Sequence, residues 1–280
     1  MKRIKKGDIV GRISYGKDIL FEVQRILEIK GKKQAILKGI TVRIEASSPL
    51  EDLEIIKKQT VERNLRSLED KLEDRIKKCA KNKQIGYSFF KRAYPKRSEP
   101  KIKTGLILHL DGDKKYSEKS ARYYKSIGLN AIVRNIPENK QAIMVKSLLN
   151  RYNPDILIIT GHDGMIKNGM KYNDIYNYRN SRHFVNTVKE ARKWANSGND
   201  LVIFAGACQS FFEAIMESGA NFASSPGRIL IDFMDPLVVA EKVATTENYK
   251  YITINDIKDE IRDGTKAVDG IGARGKKKYI

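Results

Sequence analysis

Two short stretches of this chain each end an apolar run on a side chain that can do chemistry. LVIFAGACQS (201–210) delivers Cys208, and DILIITGHDG (155–164) delivers His162. Both runs are too short and too rich in β-formers for helices and read as buried strands. Ala205, Gly206 and Ala207 remove nearly all side-chain bulk ahead of Cys208, as expected where a strand hands one thiol to an edge. A thiolate is a nucleophile, and an imidazole can take its proton and return one to a leaving amine. Taken singly, a cysteine after an apolar run is more often core, and a histidine there is more often a turn residue. Their equivalent placement favours a nucleophile and base. Of the other histidines, His109 falls inside a strand on its core side, and His183 opens a helix as a weaker candidate base. Two cysteines and three histidines are scattered without zinc-ligand spacing, and there is no phosphate-binding Gly-x-x-x-x-Gly-Lys loop. Neither a metal nor a cofactor is expected.

The elements that must position these groups begin at residue 104. Strands at 105–110, 129–133, 156–160 and 201–205 alternate with helices at 116–127, 142–152, 183–196 and 210–218. That series predicts an α/β fold, a mainly parallel sheet with helices on both faces and right-handed crossovers. Ligands of such sheets sit beyond the carboxyl ends of the strands. Asp111, Asp113, His162 and Cys208 all fall there. Adjacent strand tips lie about 5 Å apart, so neighbouring third and fourth strands would bring imidazole and thiol together. A helix beginning after Cys208 would favour the thiolate through its dipole.

Upstream, 1–57 reads as several short strands with glycine turns, an SH3-like β-barrel. Leu65, Leu68, Leu72, Ile76 and Cys79 then mark one face of an amphipathic helix. From 83 to 103 a basic stretch with two prolines reads as a linker open to proteolysis. The expected domains are therefore 1–57, a helix and linker over 58–103, and 104–280. With 41% hydrophobic and 31% charged residues the composition is that of a soluble globular protein. No apolar run approaches the roughly 20 residues of a membrane helix. The basic N-terminus lacks an apolar h-region, so no secretory signal is expected, and two cysteines in unlike contexts suggest a reducing compartment. The net charge of +20, spread over both halves, points to an acidic partner or surface and no further.

An apolar block ending in His followed by one ending in Ala-Cys resembles the caspase-fold cysteine peptidases. More closely, LHLDGD (108–113), IITGHD (158–163), YRNSRHFV (178–185), FAGACQS (204–210) and GANFASSP (219–226) resemble the YabG-type sporulation-specific peptidases of endospore-forming bacteria. The resemblance implies a three-layer caspase-like sandwich behind the barrel and helix. It implies a cysteine endopeptidase cutting after Arg, with a His162/Cys208 dyad and spore coat precursors as substrates. It further implies a mother-cell cytoplasmic protein that later associates with the coat. The backbone N–H groups of Asp163 and Cys208 would form the oxyanion hole. Most of the wider clan has His-Gly where this chain has His162-Asp163, which puts a carboxylate beside a developing negative charge. An Arg pocket needs a carboxylate of its own; Asp111 and Asp113 are the first choices, with Asp235 and Asp232 as rivals. Self-cleavage in the linker, at Arg92 or Arg97, is a further expectation.

Two other classes are weighed against this reading. A glutamine-amidotransferase-like hydrolase shares the Gly-x-Cys turn but needs a histidine after the cysteine, and none follows Cys208. A non-catalytic basic scaffold for coat assembly or nucleic acid would use the charge but leave the His–Cys pair without a purpose. Protein substrates, and not nucleic acid or a membrane, are thus the expected partners.

Overall fold

The computed structural model describes residues 3–29, 31–93, 102–166, 172–195 and 200–279. The N-terminal part is a five-stranded antiparallel sheet of β1 (Ile9–Arg12), β2 (Phe21–Ile29), β3 (Lys32–Gly39), β4 (Glu45–Pro49) and β5 (Leu53–Ile55), in the order β4-β3-β2-β1-β5. Alternation drives it: Phe21 and Val23 on β2, and Ala35 and Leu37 on β3, turn inward. Gly31, at φ +72°, lies in the tight turn joining β2 to β3. The β3–β4 connection, residues 40–44, projects from this sheet, and the hairpin closes with Gly39 N–H donating to the Ile44 carbonyl.

Helix α1 runs from Lys58 to Ala93, ten residues past the expected end at 83. A single glycine, Gly86, costs a helix only about 1 kcal/mol, and no proline intervenes before Pro95. The linker reading of 83–93 is therefore corrected: Arg92 lies in this helix, whereas Arg97 falls outside the described residues. Leu68, Leu72 and Cys79 of α1 are buried, as their spacing predicts.

The second sheet has six strands in the order β13-β11-β10-β9-β7-β8. Its members are β7 (Ile107–Asp111), β8 (Ala131–Asn135), β9 (Ile156–Thr160), β10 (Val202–Ala205), β11 (Phe222–Ser224) and β13 (Val268–Gly270). The first five are parallel; β13 closes the β11 edge antiparallel. Strands β11 and β13 were not anticipated, because their three-residue lengths carry little periodicity. Two small antiparallel pairs pin the C-terminal segment: β6 (Ile102–Lys103) with β15 (Lys278–Tyr279), and β12 (Tyr251–Ile252) with β14 (Ala273–Arg274).

Helices cover both faces. Ile156 and Ile158 of β9 join the core under α2 (Lys114–Ser126) and α6 (Asp235–Thr245). Leu157 and Ile159 point the other way, under α3 (Glu138–Tyr152), α4 (Ser181–Ala195) and α5 (Phe212–Glu217). Phe21, Leu37, Ile44 and Leu53 of the N-terminal sheet belong to the first of these two cores. The small sheet is thus packed continuously with the large one, which brings its β3–β4 loop to the carboxyl ends of the parallel strands.

Candidate active site

The central strands set the frame. β9 lies between β7 and β10, with Asp111 opposite Thr160 and Ile159 opposite Ala205. His162 and Cys208 each follow their register-paired residue by three positions, so the sheet delivers both to one place. Gly206, at φ +119°, makes the turn; a Cβ there would lie 2.3 Å from Ser224 Oγ. Gln209 continues it at φ +54°. Hydroxyls pin the loop: Ser210 Oγ accepts from Ala207 N–H (2.9 Å), Ser224 Oγ donates to the Ala207 carbonyl (3.0 Å), and Ser225 Oγ accepts from Gln209 N–H (3.1 Å). Ser224 and Ser225 therefore support the cysteine loop directly.

His162 and Cys208 are both fully buried. His162 Nε2 lies 3.1 Å from the Gly39 carbonyl, which can only accept, so this nitrogen carries the proton and Nδ1 carries the lone pair. Nδ1 has no hydrogen-bond partner; the nearest carboxylate oxygen, on Asp113, is 4.0 Å away. Burial and then the nearby Lys38 charge hold the imidazole below its ordinary pKa, against the pull of Asp113 and Glu138. The Tyr116 ring packs beside the imidazole, with its centre 5.7 Å from that of His162. Burial pushes the Cys208 thiol up to about 12. The expected help from a helix dipole is not realised, because α5 has six residues and begins only at Phe212. In this state the pair is a neutral thiol and a neutral imidazole, not hydrogen-bonded to each other.

The largest surprise is Arg43, from the β3–β4 loop. Its carbonyl oxygen accepts from both Asp163 N–H and Cys208 N–H, each at 3.2 Å. Its guanidinium, fully buried, donates through Nη1 to Asp111 Oδ2 at 2.7 Å. The guanidinium carbon sits 4.5 Å from the Tyr116 ring centre and 5.5 Å from that of Phe233. These two rings stack on each other, so the cation meets one carboxylate and an aromatic wall. Burial disfavours both charges, but the pairing wins: Arg43 is held above its ordinary pKa and Asp111 below its own. Behind Asp111, Thr160 Oγ1 donates to Oδ2 (2.9 Å) and accepts from His109 Nε2 (2.7 Å). His109 is buried and, through that burial, depressed to about 3, so it is a neutral core histidine as its strand position predicts.

The other acidic candidates are engaged elsewhere. Asp113 caps α2, accepting from Lys115 N–H and Tyr116 N–H. Asp235, in the first turn of α6, accepts from Asp232 N–H and is pushed to about 7 by burial and by Asp232. Asp232 pairs with Lys71 at 3.1 Å. None of these three contacts the Arg43 guanidinium; Asp111 does. Asp163 turns its carboxylate away from the Arg43 carbonyl: Oδ1 accepts from Gly164 and Asn180 N–H, and Oδ2 from the Ser181 (2.5 Å) and Ser210 (2.9 Å) hydroxyls. Burial nevertheless raises it to about 6. His183 lies on α4, half-buried, with Nε2 facing the Arg182 guanidinium at 3.5 Å, and is not part of the cluster. Two participants escaped the sequence reading. Arg43 carries no local signature, and Glu138, buried at the start of α3, accepts from His162 N–H at 2.8 Å. Gly112 and Gly161 leave the space that Glu138 fills, since a Cβ at either would lie within 2.5 Å of its carboxyl group.

The family model for the YabG peptidase U57 matches residues 5–280. The chain belongs to this family. It is also 38% identical over 280 aligned residues to the sporulation-specific protease YabG of Bacillus subtilis (strain 168), covering 96% of this chain and 94% of that one. Membership makes the protein a peptidase, hence a hydrolase, with a protease role in sporulation. The family match spans both sheets and the loop that carries Arg43. Among the described residues no helix is long and apolar enough to cross a membrane.

Proposed function

We propose that this protein is a cysteine endopeptidase that cleaves after Arg, with Cys208 as nucleophile and His162 as base. The observation that carries the reading is the seat of Arg43, whose carbonyl oxygen meets two converging N–H groups while its guanidinium reaches a buried carboxylate. Donors converging on one carbonyl suit an oxygen that becomes negative during acyl transfer. Asp163 and Cys208 supply those donors, and Asp111 supplies arginine selectivity. The unpartnered Nδ1 of His162 is the proton acceptor. With the thiol protonated at rest, proton removal accompanies attack on the carbonyl carbon. The imidazolium then returns the proton to the leaving amine, and water releases the acyl group.

The finer architectural reading follows the same line. A parallel sheet between two helical layers, with nucleophile and base at adjacent carboxyl ends, supports a caspase-like sandwich. The five short antiparallel strands ahead of it support an SH3-like barrel. On this reading the domains are 1–57, 58–103 and 104–280. Spore coat precursors as substrates, mother-cell synthesis and later coat association complete the proposal, in keeping with the relative's sporulation-specific name.

Purified chain should cleave a peptide after Arg and not at a neutral residue in the same position. Cys208→Ala should abolish cleavage with unchanged thermal unfolding, and His162→Ala should lower kcat by at least about 100-fold. Full activity in folded Cys208→Ala would remove the thiol mechanism.

A further inference from the structure

We propose that the Arg43–Ile44 bond is a substrate of this chain's own active site, cut within the same molecule, and that until it is cut the β3–β4 loop holds the enzyme shut. The proposal rests on the reading of Cys208 and His162 given above.

Backbone geometry on both sides of the bond supports it. Asp163 N–H donates to the Arg43 carbonyl, and Glu45 N–H donates back to the Asp163 carbonyl at 2.7 Å, with Ile44 bridging parallel to Asp163. Residues 43–45 thus lie along the active-site chain as an added strand, the way an extended peptide binds. Beyond the bond, Ile44, Glu45 and Ser47 run along a groove of about 350 Å³ bordered by Met165, Arg179 and Gln209. The bland alternative is a structural ion pair. Against it, Arg43 Nε and Nη2 are buried without a hydrogen-bond partner, facing only the Tyr116 and Phe233 rings. Orphaned buried donors oppose stability, so an ion pair kept for stability would be poorly built, whereas a residue held by its carbonyl and one N–H is suited to leave.

The step balances without an outside oxidant or reductant. Cys208 Sγ bonds to the Arg43 carbonyl carbon as His162 Nδ1 takes the thiol proton. The C–N bond to Ile44 breaks, and the imidazolium gives its proton to the Ile44 nitrogen. Water then hydrolyses the thioester, leaving a carboxylate on Arg43 and a free thiol. The β3–β4 pairing from Gln34↔Pro49 to Lys38↔Glu45 keeps the two pieces together. The freed Arg43 withdraws from Asp111 and from the two N–H groups, opening both to substrates in solution.

Intact mass and N-terminal sequencing of the purified full chain test this. Wild type should convert to fragments 1–43 and 44–280 with a new Ile44 N-terminus, at a first-order rate unchanged by tenfold dilution. Cleavage of an Arg peptide should show a lag that matches this conversion. Cys208→Ala should stay whole, and Arg43→Ala should yield no Ile44 terminus. Should Arg43→Ala not fold, Arg43→Gln replaces it, and the wild-type measurement needs no variant. Wild type that cleaves the peptide while Arg43–Ile44 stays intact overturns the proposal and leaves the peptidase reading standing. So does a cut at Arg92 or Arg97 in its place, or a rate that falls on dilution. Wild type that cleaves neither its own chain nor the peptide overturns both.

Discussion

Asp111 is one residue among several acidic candidates at the strand tips, and its neighbours explain why it takes the guanidinium. Asp113 and Asp235 each accept backbone N–H groups at helix starts, and Asp232 pairs with Lys71. Asp111 is turned inward with one oxygen on Asp113 N–H and the other on Thr160 and Arg43. A buried carboxylate kept ionised is costly unless a cation arrives to meet it. Asp111→Asn should therefore lower kcat/KM for an Arg peptide by roughly 100-fold or more, about 3 kcal/mol of lost transition-state stabilisation. The preference for Arg over a neutral residue should shrink with it. Steady-state kinetics on the two peptides decides this; an unchanged preference would move the pocket away from Asp111. Asp163 teaches a similar lesson. Its four donors, two N–H groups and two hydroxyls, turn a side chain that would threaten the proposed oxyanion hole into a clamp between the His162 loop and the start of α4.

At the scale of elements, the parallel register does the positioning. Two loops leaving β9 and β10 at equivalent points give His162 and Cys208 equivalent reach, and β7 places Asp111 on the other side of β9. The cysteine turn depends on Gly206, whose positive φ and contact with Ser224 leave no space for a methyl group. Gly206→Ala must strain the backbone or displace Ser224 from the Ala207 carbonyl. We expect a loss of about 2–3 kcal/mol in unfolding free energy by denaturant titration, and a larger relative loss of peptidase activity. Stability and activity both at wild-type levels would show that the loop has more freedom than this geometry allows.

Taken whole, the molecule is braced by α1, which is tied to α2 and α6 on one face of the large sheet. Arg75 joins Glu241 of α6 at 2.7 Å, bonds Tyr123 of α2 and pairs with Glu260. Tyr123 and Cys79 also donate to Glu241, at 2.5 and 3.1 Å. Burial raises the Cys79 thiol, with Glu241 adding to the effect, so this cysteine is a structural donor, as its helical spacing suggests. Arg75→Ala leaves the largely buried Glu241 without its cation and should cost about 2–3 kcal/mol. The corresponding drop in Tm is roughly 4–10 °C. A shift under 1 °C would mean that α1 contributes little to the fold.

Much of the candidate site is legible in the sequence, because it depends on local pattern. Apolar runs that stop at His162 and Cys208, small residues around Gly206, and strand–helix alternation all follow from side-chain burial and backbone freedom over a few residues. The same local logic placed His109 in the core and Cys79 on the buried stripe of α1. What no window of sequence contains is the meeting of distant segments. Arg43 lies in a loop of the small sheet, 68 positions from Asp111, and only the packing of one sheet's core against the other's brings it there. Glu138 supports His162 from a helix start that offers no motif. The choice of Asp111 over Asp113, Asp232 and Asp235, and the turning aside of Asp163, depended on which hydrogen-bond donors the fold placed around each carboxylate. Tertiary structure alone assigns those donors.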